Sequence, residues 1–167
     1  MQGVGDDFSG ILEVDGHGVF PKGGFYDTPL TWRVEYTFPN GVKIVDTDVS
    51  QQPMGVRFQG TESSVFCWRG NVLESEPRLI RHSKILPQEI HCYESTDHVQ
   101  NWLDCIRTRM RTAAPVEIAH QSTTLCNIGA ISMLLGRKLH WDHVAERFLE
   151  EEANRYLSKP MREPWAI

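Results

Sequence analysis

Residues 31–48 constrain the fold more than any other stretch of this chain. "TWRVEYTF" alternates cleanly, with Trp32, Val34, Tyr36 and Phe38 set against Thr31, Arg33, Glu35 and Thr37. A period of two, apolar against polar, is the pattern of a strand with one covered face and one wet face. "PNG" at 39–41 is a turn signal and "VKIVDTDV" follows it, so Asn40-Gly41 is predicted to close a hairpin. The same logic extends on both sides. "GILEVDGHG" alternates with Leu12 and Val14 on one face; "HGVFPKGGFYDTP" is a Gly- and Pro-rich loop. "GVRFQG" and "SSVFCWRG" make a second pair around Gly60 to Glu62, and "NVLES" allows one more short strand. Consecutive hairpins predict a largely antiparallel sheet.

The second half changes period. In "TDHVQNWLDCIRTRM", Val99, Trp102, Leu103, Ile106 and Met110 fall on one helical stripe, with Ser95 or Thr96 as the expected N-cap. Arg107, Arg109 and Arg111 crowd its last turn, where cations suit the helix dipole. "VEIAHQSTTLCNIGAISMLLG" predicts a longer helix, apolar on almost every side from Leu125 to Leu135 and therefore buried there. Its Gly129, Ala130 and Ser132 permit a close approach, and Gly136 is the expected C′ residue. "HVAERFLEEEANRYLS" predicts a short acidic helix that ends near Lys159-Pro160, with Trp165 docking in the tail. Strands first and helices after predict an α+β fold: an open, largely antiparallel sheet with helices packed on one face. The other face is left over, and Trp68, Phe66 and Val56 are expected to enlarge an apolar patch there.

Composition excludes several classes. The chain has 167 residues, 40% apolar and 23% charged, with a net charge of -5 and no basic tract. A core is affordable, and nucleic acid is not the expected partner because phosphate contact needs clustered cations. No apolar run nears the ~18 residues of a membrane span, and "MQGVGDDFSG" is not a signal peptide. Cys67, Cys92, Cys105 and Cys126 form no C-x-x-C, which predicts reduced, mostly buried thiols in a cytoplasmic chain.

Candidate chemistry is sparse. His140, Asp142 and His143 sit within four residues of one another, and His91, Cys92 and His98 form a looser group. Neither has the array that zinc wants, and Asp142 is expected to cap a helix instead. His120 on the polar start of the long helix is a candidate substrate ligand or base. Tyr26 in the long loop and Arg162 in the tail are candidate ligand contacts. Asp46 and Asp48 share a strand face that solvent explains. No P-loop, G-x-S-x-G or H-E-x-x-H occurs. Gly3 and Gly5 imitate half of a dinucleotide fingerprint, but Asp6 and Asp7 would repel a pyrophosphate. The residues alone describe a folded α+β domain without a self-sufficient catalytic apparatus.

Four stretches in combination resemble one family. "GVRFQGTESSVFCWRG", "STDHVQNWLDCIRTR", "PVEIAHQSTTLCNIGAISMLLGRKLHWDHVAERF" and "EANRYLSKPMREPW" look like the C-terminal domain of bacterial Gfo/Idh/MocA-type oxidoreductases, from about Gly18 to Trp165. The G-R-K-L-x-W-D, E-x-F, E-A-N and R-x-P-W elements carry the match. Ser63 and Ser64 depart from the family's Gly in the turn after Glu62. The resemblance implies that residues 1–167 form a single domain that walls a substrate pocket and mediates oligomers, a homodimer through the sheet face. It implies a Rossmann partner domain binding NAD or NADP, and a sugar or polyol substrate. The family's catalytic Lys in E-K-P and its D-x-x-x-H motif lie outside the matched region, and neither occurs in this sequence. The expectation is therefore no catalytic, cofactor or metal site in this chain, and His120, Tyr26 and Arg162 as substrate contacts. An export signal of the parent would precede these residues. Two alternatives remain open: a stand-alone binding or assembly module, and a small metal hydrolase using the histidine groups.

Overall fold

The structure, a computed structural model, describes residues 11–69, 71–78, 82–91, 93–159 and 161–164. Gly3, Gly5, Cys92 and Trp165 lie outside that set. Two compact units emerge, Met1–Ser50 with Val116–Ile167, and Gln51–Pro115. Both contain only antiparallel strand pairs among the described residues, and the α+β class read from the sequence holds.

The first unit contains β1 (Ile11–Val19), β2 (Thr31–Thr37), β3 (Lys43–Thr47), α2 (Val116–Leu135), β7 (Leu139–Asp142), β8 (Arg147–Phe148) and α3 (Glu151–Asn154). Its five strands lie in the order β3-β2-β1-β7-β8. The predicted hairpin forms, with Val34 opposite Asp46 and Tyr36 opposite Ile44. Its turn is closed by Phe38 and Val42, and Gly41 supplies the positive φ of 83° that the turn requires. Leu12, Val14, Val34, Tyr36, Leu139, Trp141 and Phe148 form the core with Ile128 and Ile131 of α2. The opposite sheet face is a lattice of ion pairs, Glu13 with Lys138 and Glu35 with both Lys43 and Arg33.

Small residues set how close α2 comes to the sheet. A Cβ on Gly129 would lie 2.2 Å from the Tyr36 hydroxyl, and one on Gly16 would lie 2.9 Å from the Met133 backbone nitrogen. Ser132 is fully buried and completes the sheet chemically. The β1–β7 register pairs Val14 with Leu139, and continuing it would set Gly16 opposite Arg137. There the Ser132 hydroxyl intervenes: it accepts the Gly16 N–H at 2.8 Å and donates to the Arg137 carbonyl at 2.9 Å. One side chain thus replaces a rung and satisfies two backbone groups that burial would otherwise orphan. Gly136, φ 63°, ends the helix as predicted, its N–H returning to the Ser132 carbonyl. Burial of the second half of α2 holds on one face only; Cys126, Ala130 and Leu134 remain exposed.

The predicted acidic helix after His140 does not form as drawn. Asp142 accepts the N–H groups of Val144 and Ala145, Glu146 takes a left-handed φ of 49°, and the chain returns as β8. Burial explains why. Phe148 packs edge-on against Trp141, centroids 5.0 Å apart, and is fully buried, which a continuous helix from His143 would prevent. Asn154 then stands in for a neighbouring strand: its amide accepts the Phe148 N–H at 2.8 Å and donates to the Phe148 carbonyl at 3.0 Å. The E-x-F and E-A-N elements are thus two halves of one contact.

The second unit holds β4 (Val56–Gln59), β5 (Ser64–Trp68), β6 (Asn71–Glu76) and α1 (His98–Thr108). The three strands form a separate meander, order β4-β5-β6, whose first turn is closed by a Gly60 N–H donated to the Ser63 carbonyl. The expected patch of Val56, Phe66 and Trp68 is not one surface. Val56 pairs with Cys67 and shares its face, whereas Phe66 and Trp68 alternate to the other, where Arg57 lies 5.0 Å over the buried Phe66 ring. The N-cap of α1 is Asp97, which accepts the Gln100 N–H, and not Ser95 or Thr96. The stripe Val99, Trp102, Leu103, Ile106 and Met110 is exposed, while Cys105 is buried. Of the described cysteines, Cys105 is buried, Cys67 is half-buried and Cys126 is exposed, so the expectation of mostly buried thiols fails at Cys126.

Candidate functional site

The strand face that supports α2 leaves a cleft beside the helix. It is lined by Thr28 and Pro29 of the β1–β2 loop, by Trp32, Val34, Tyr36 and Asp46, and by Cys126, Gly129, Ala130 and Met133. Its volume of about 370 Å³ falls in the range of small-molecule sites. The alternation of β2 places Trp32 and Tyr36 on this face, and the hairpin register brings Asp46 there with them.

Two carboxylates hold Trp32 at both ends. Asp48 accepts its backbone N–H at 2.9 Å, and Asp46 accepts the indole N–H at 3.3 Å. Asp48 is buried, and it also accepts the N–H of Ser50 at 2.8 Å and the Ser50 hydroxyl proton. It is therefore part of the scaffold, which corrects the reading of Asp46 and Asp48 as a solvated pair. Asp46 does remain exposed. Tyr36 donates to the Leu125 carbonyl at 2.9 Å. Burial above all, then the neighbouring Asp46 and Cys126, push the Tyr36 phenol far above its usual range, so it remains a neutral donor.

The residues singled out from sequence are not gathered into this cleft. Tyr26 is highly exposed on the loop that supplies Thr28 and Pro29, but it is not among the lining residues. His120 is exposed on the first half of α2, where its Nε2 meets Glu146 Oε1 at 2.6 Å. Arg162 is exposed in the tail. No hydrogen bond or ion pair among the described residues joins any two of these three.

The histidine groups have structural partners. Glu150 grips His140 twice, taking the backbone N–H at 3.0 Å and Nδ1 at 2.8 Å. Asp142 is committed to its turn. His91 Nε2 lies 3.0 Å from the Leu86 carbonyl. Among the described residues, no group of three or more His, Cys, Asp or Glu is arranged to hold a metal ion.

A Rossmann-type dinucleotide site uses a strand-to-helix turn whose helix start attracts the pyrophosphate. Every described helix start instead carries a carboxylate: Asp97 at α1, Glu117 at α2, and Glu150 with Glu151 and Glu152 at α3. These described helix starts do not fit a dinucleotide's pyrophosphate, and no hydride step is assigned to the described residues.

A family model described as "Oxidoreductase family, C-terminal alpha/beta domain", that of the Gfo/Idh/MocA group, matches residues 13–167. The chain belongs to this family of oxidoreductase C-terminal domains. No curated protein and no solved structure matches it.

Trp32 and Asp46 are the site residues that sequence reasoning missed. The register that sets Asp46 opposite Val34, on the covered face, comes from a three-residue turn over 39–41; a two-residue turn at Asn40-Gly41 would set Asp46 opposite Glu35 on the wet face.

Proposed function

We propose that this chain is the substrate-binding and assembly domain of an NAD- or NADP-dependent oxidoreductase that acts on a sugar or polyol. The family match over residues 13–167 carries the reading. In this division of labour a Rossmann domain holds the nicotinamide and the proton acceptor, and the parent moves a hydride between nicotinamide and a hydroxyl-bearing carbon. This chain's part is to bind and orient. Concave shape and a fixed indole support that role, since an aromatic plane and a carboxylate are suited to a polyhydroxylated ring. His120, Tyr26 and Arg162 are proposed as further substrate contacts; all three side chains are exposed, and Glu146 orients the imidazole of His120.

We also propose a homodimer through the ion-paired face of the five-stranded sheet. Its alternating charges, with Val45 exposed among them, can match a second copy about a two-fold axis. Sedimentation equilibrium is expected to give a dimer that weakens with salt; a monomer at every concentration would remove this part of the proposal. We place the protein in the cytoplasm, in keeping with its free thiols; no described helix is long and apolar enough to cross a membrane.

The test of the whole reading is the DNA directly upstream of the first codon. A Rossmann-coding segment with an E-K-P motif is expected there or in the adjacent gene. A neighbourhood with no such segment would favour a stand-alone module.

A further inference from the structure

The cleft beside α2 is chemically lopsided. The strand residues that face it or continue its face are Trp32, Val34, Tyr36, Ile44, Asp46 and Asp48, which include two carboxylates and no Lys or Arg. Asp48 is consumed by the backbone of Trp32 and by Ser50. Asp46 is different: it is exposed, it makes no ion pair among the described residues, and its one side-chain hydrogen bond there uses Oδ2. Its Oδ1 makes no hydrogen bond among the described residues.

A neutral hydroxyl can donate to this carboxylate, but its hydrogen bond is weaker than that of a cation, which brings a charge of its own. A protonated amine gains a charge-assisted hydrogen bond to Asp46. The net charge of -5 acts in the same direction. We propose that this cleft selects a small organic cation, an amine-bearing sugar or polyol whose ammonium group sits on Asp46 Oδ1, with the Trp32 indole N–H holding the carboxylate in place. Thr28 at the rim and the exposed Ala130 border the space for the hydroxylated remainder. This deepens the substrate-domain reading and rests on it, by naming the substrate class.

Glucosamine and glucose are the probes, since they share a ring and differ in charge. The full chain is titrated with each at slightly acidic pH by ligand-observed saturation-transfer NMR. Glucosamine is expected to bind tighter by roughly two- to fivefold, the worth of one solvent-exposed charge pair. Asp46→Asn, which keeps the shape and an acceptor for the indole, should abolish that preference; Trp32→Leu should weaken both ligands; Glu74→Gln in the other unit should change nothing. Equal binding of the two sugars, a preference that survives Asp46→Asn, or no binding of either would overturn the proposal. The oxidoreductase reading is judged separately, by nicotinamide reduction once a Rossmann domain is supplied. Failure there leaves the charge preference and its loss in Asp46→Asn as they were measured.

Discussion

Gly129 and Tyr36 provide a two-residue test of how α2 meets the sheet. A methyl group at Gly129 would stand 2.2 Å from the Tyr36 hydroxyl and 3.2 Å from both Tyr36 Cζ and Val34 Cγ1. Tyr36 is 4% exposed and hydrogen-bonded to the Leu125 carbonyl, so its ring has nowhere to retreat. Gly129→Ala must therefore lift the helix or displace the phenol. Overpacking of this kind costs ~1–3 kcal/mol and the lost hydrogen bond ~1 kcal/mol, against ~1 kcal/mol gained in helix propensity. The net expectation is a loss of about 1–3 kcal/mol, or a fall in Tm of roughly 3–10 °C for a chain of this size. Tyr36→Phe removes the oxygen that the methyl strikes. In that background Gly129→Ala should cost less than ~1 kcal/mol, because the remaining contacts at 3.2 Å can give by tenths of an ångström and the propensity gain persists. Urea denaturation of the four proteins yields a coupling energy of at least ~1 kcal/mol if the contact is as described. Additive effects within ~0.5 kcal/mol would refute it.

Two other changes probe the same unit. Ser132→Ala should cost about 1–3 kcal/mol by orphaning the Gly16 N–H and the Arg137 carbonyl, and hydrogen exchange at Gly16 should quicken; an unchanged Gly16 amide would refute the bridging role. At Glu150, burial raises the carboxyl pKa, but the imidazole and backbone N–H of His140 and the residue's own N–H outweigh it, and the net shift is downward. A depressed carboxylate contributes stability above its ordinary pKa of ~4.3 and loses it as pH falls through the folded value. Urea midpoints should therefore fall between mildly acidic and strongly acidic pH, and Glu150→Gln should shrink that fall without abolishing it, since Glu13 and Glu35 are depressed too. An identical pH slope in the variant would count against the His140–Glu150 latch.

Much of the architecture was legible because short-range signals agreed with burial. The alternation through Trp32 to Phe38, the turn at Asn40-Gly41 and the Gly136 cap each specify backbone geometry locally, and the structure keeps all three. The segment after His140 misled because its acidic, Leu- and Ala-containing composition suits a helix, while the fold needs Phe148 in the core against Trp141. That demand is long-range, and Asn154 makes it affordable by serving the backbone of a two-residue strand. The cleft was half legible. The alternation puts Trp32 and Tyr36 on the covered face, but Asp46 and Asp48 read as solvated because carboxylates on an apolar face are uncommon without a partner. Asp48's partner is a backbone N–H, which composition cannot reveal. His120 stands out by type and position, but its pairing with Glu146 depends on a left-handed residue in a distant turn.

Calorimetric titration of the purified chain with NAD(H) and NADP(H) tests the division of labour most directly. Carboxylates at every described helix start and an antiparallel sheet predict no measurable binding of either nucleotide up to millimolar concentration. A stoichiometric, micromolar isotherm with either one would contradict the account.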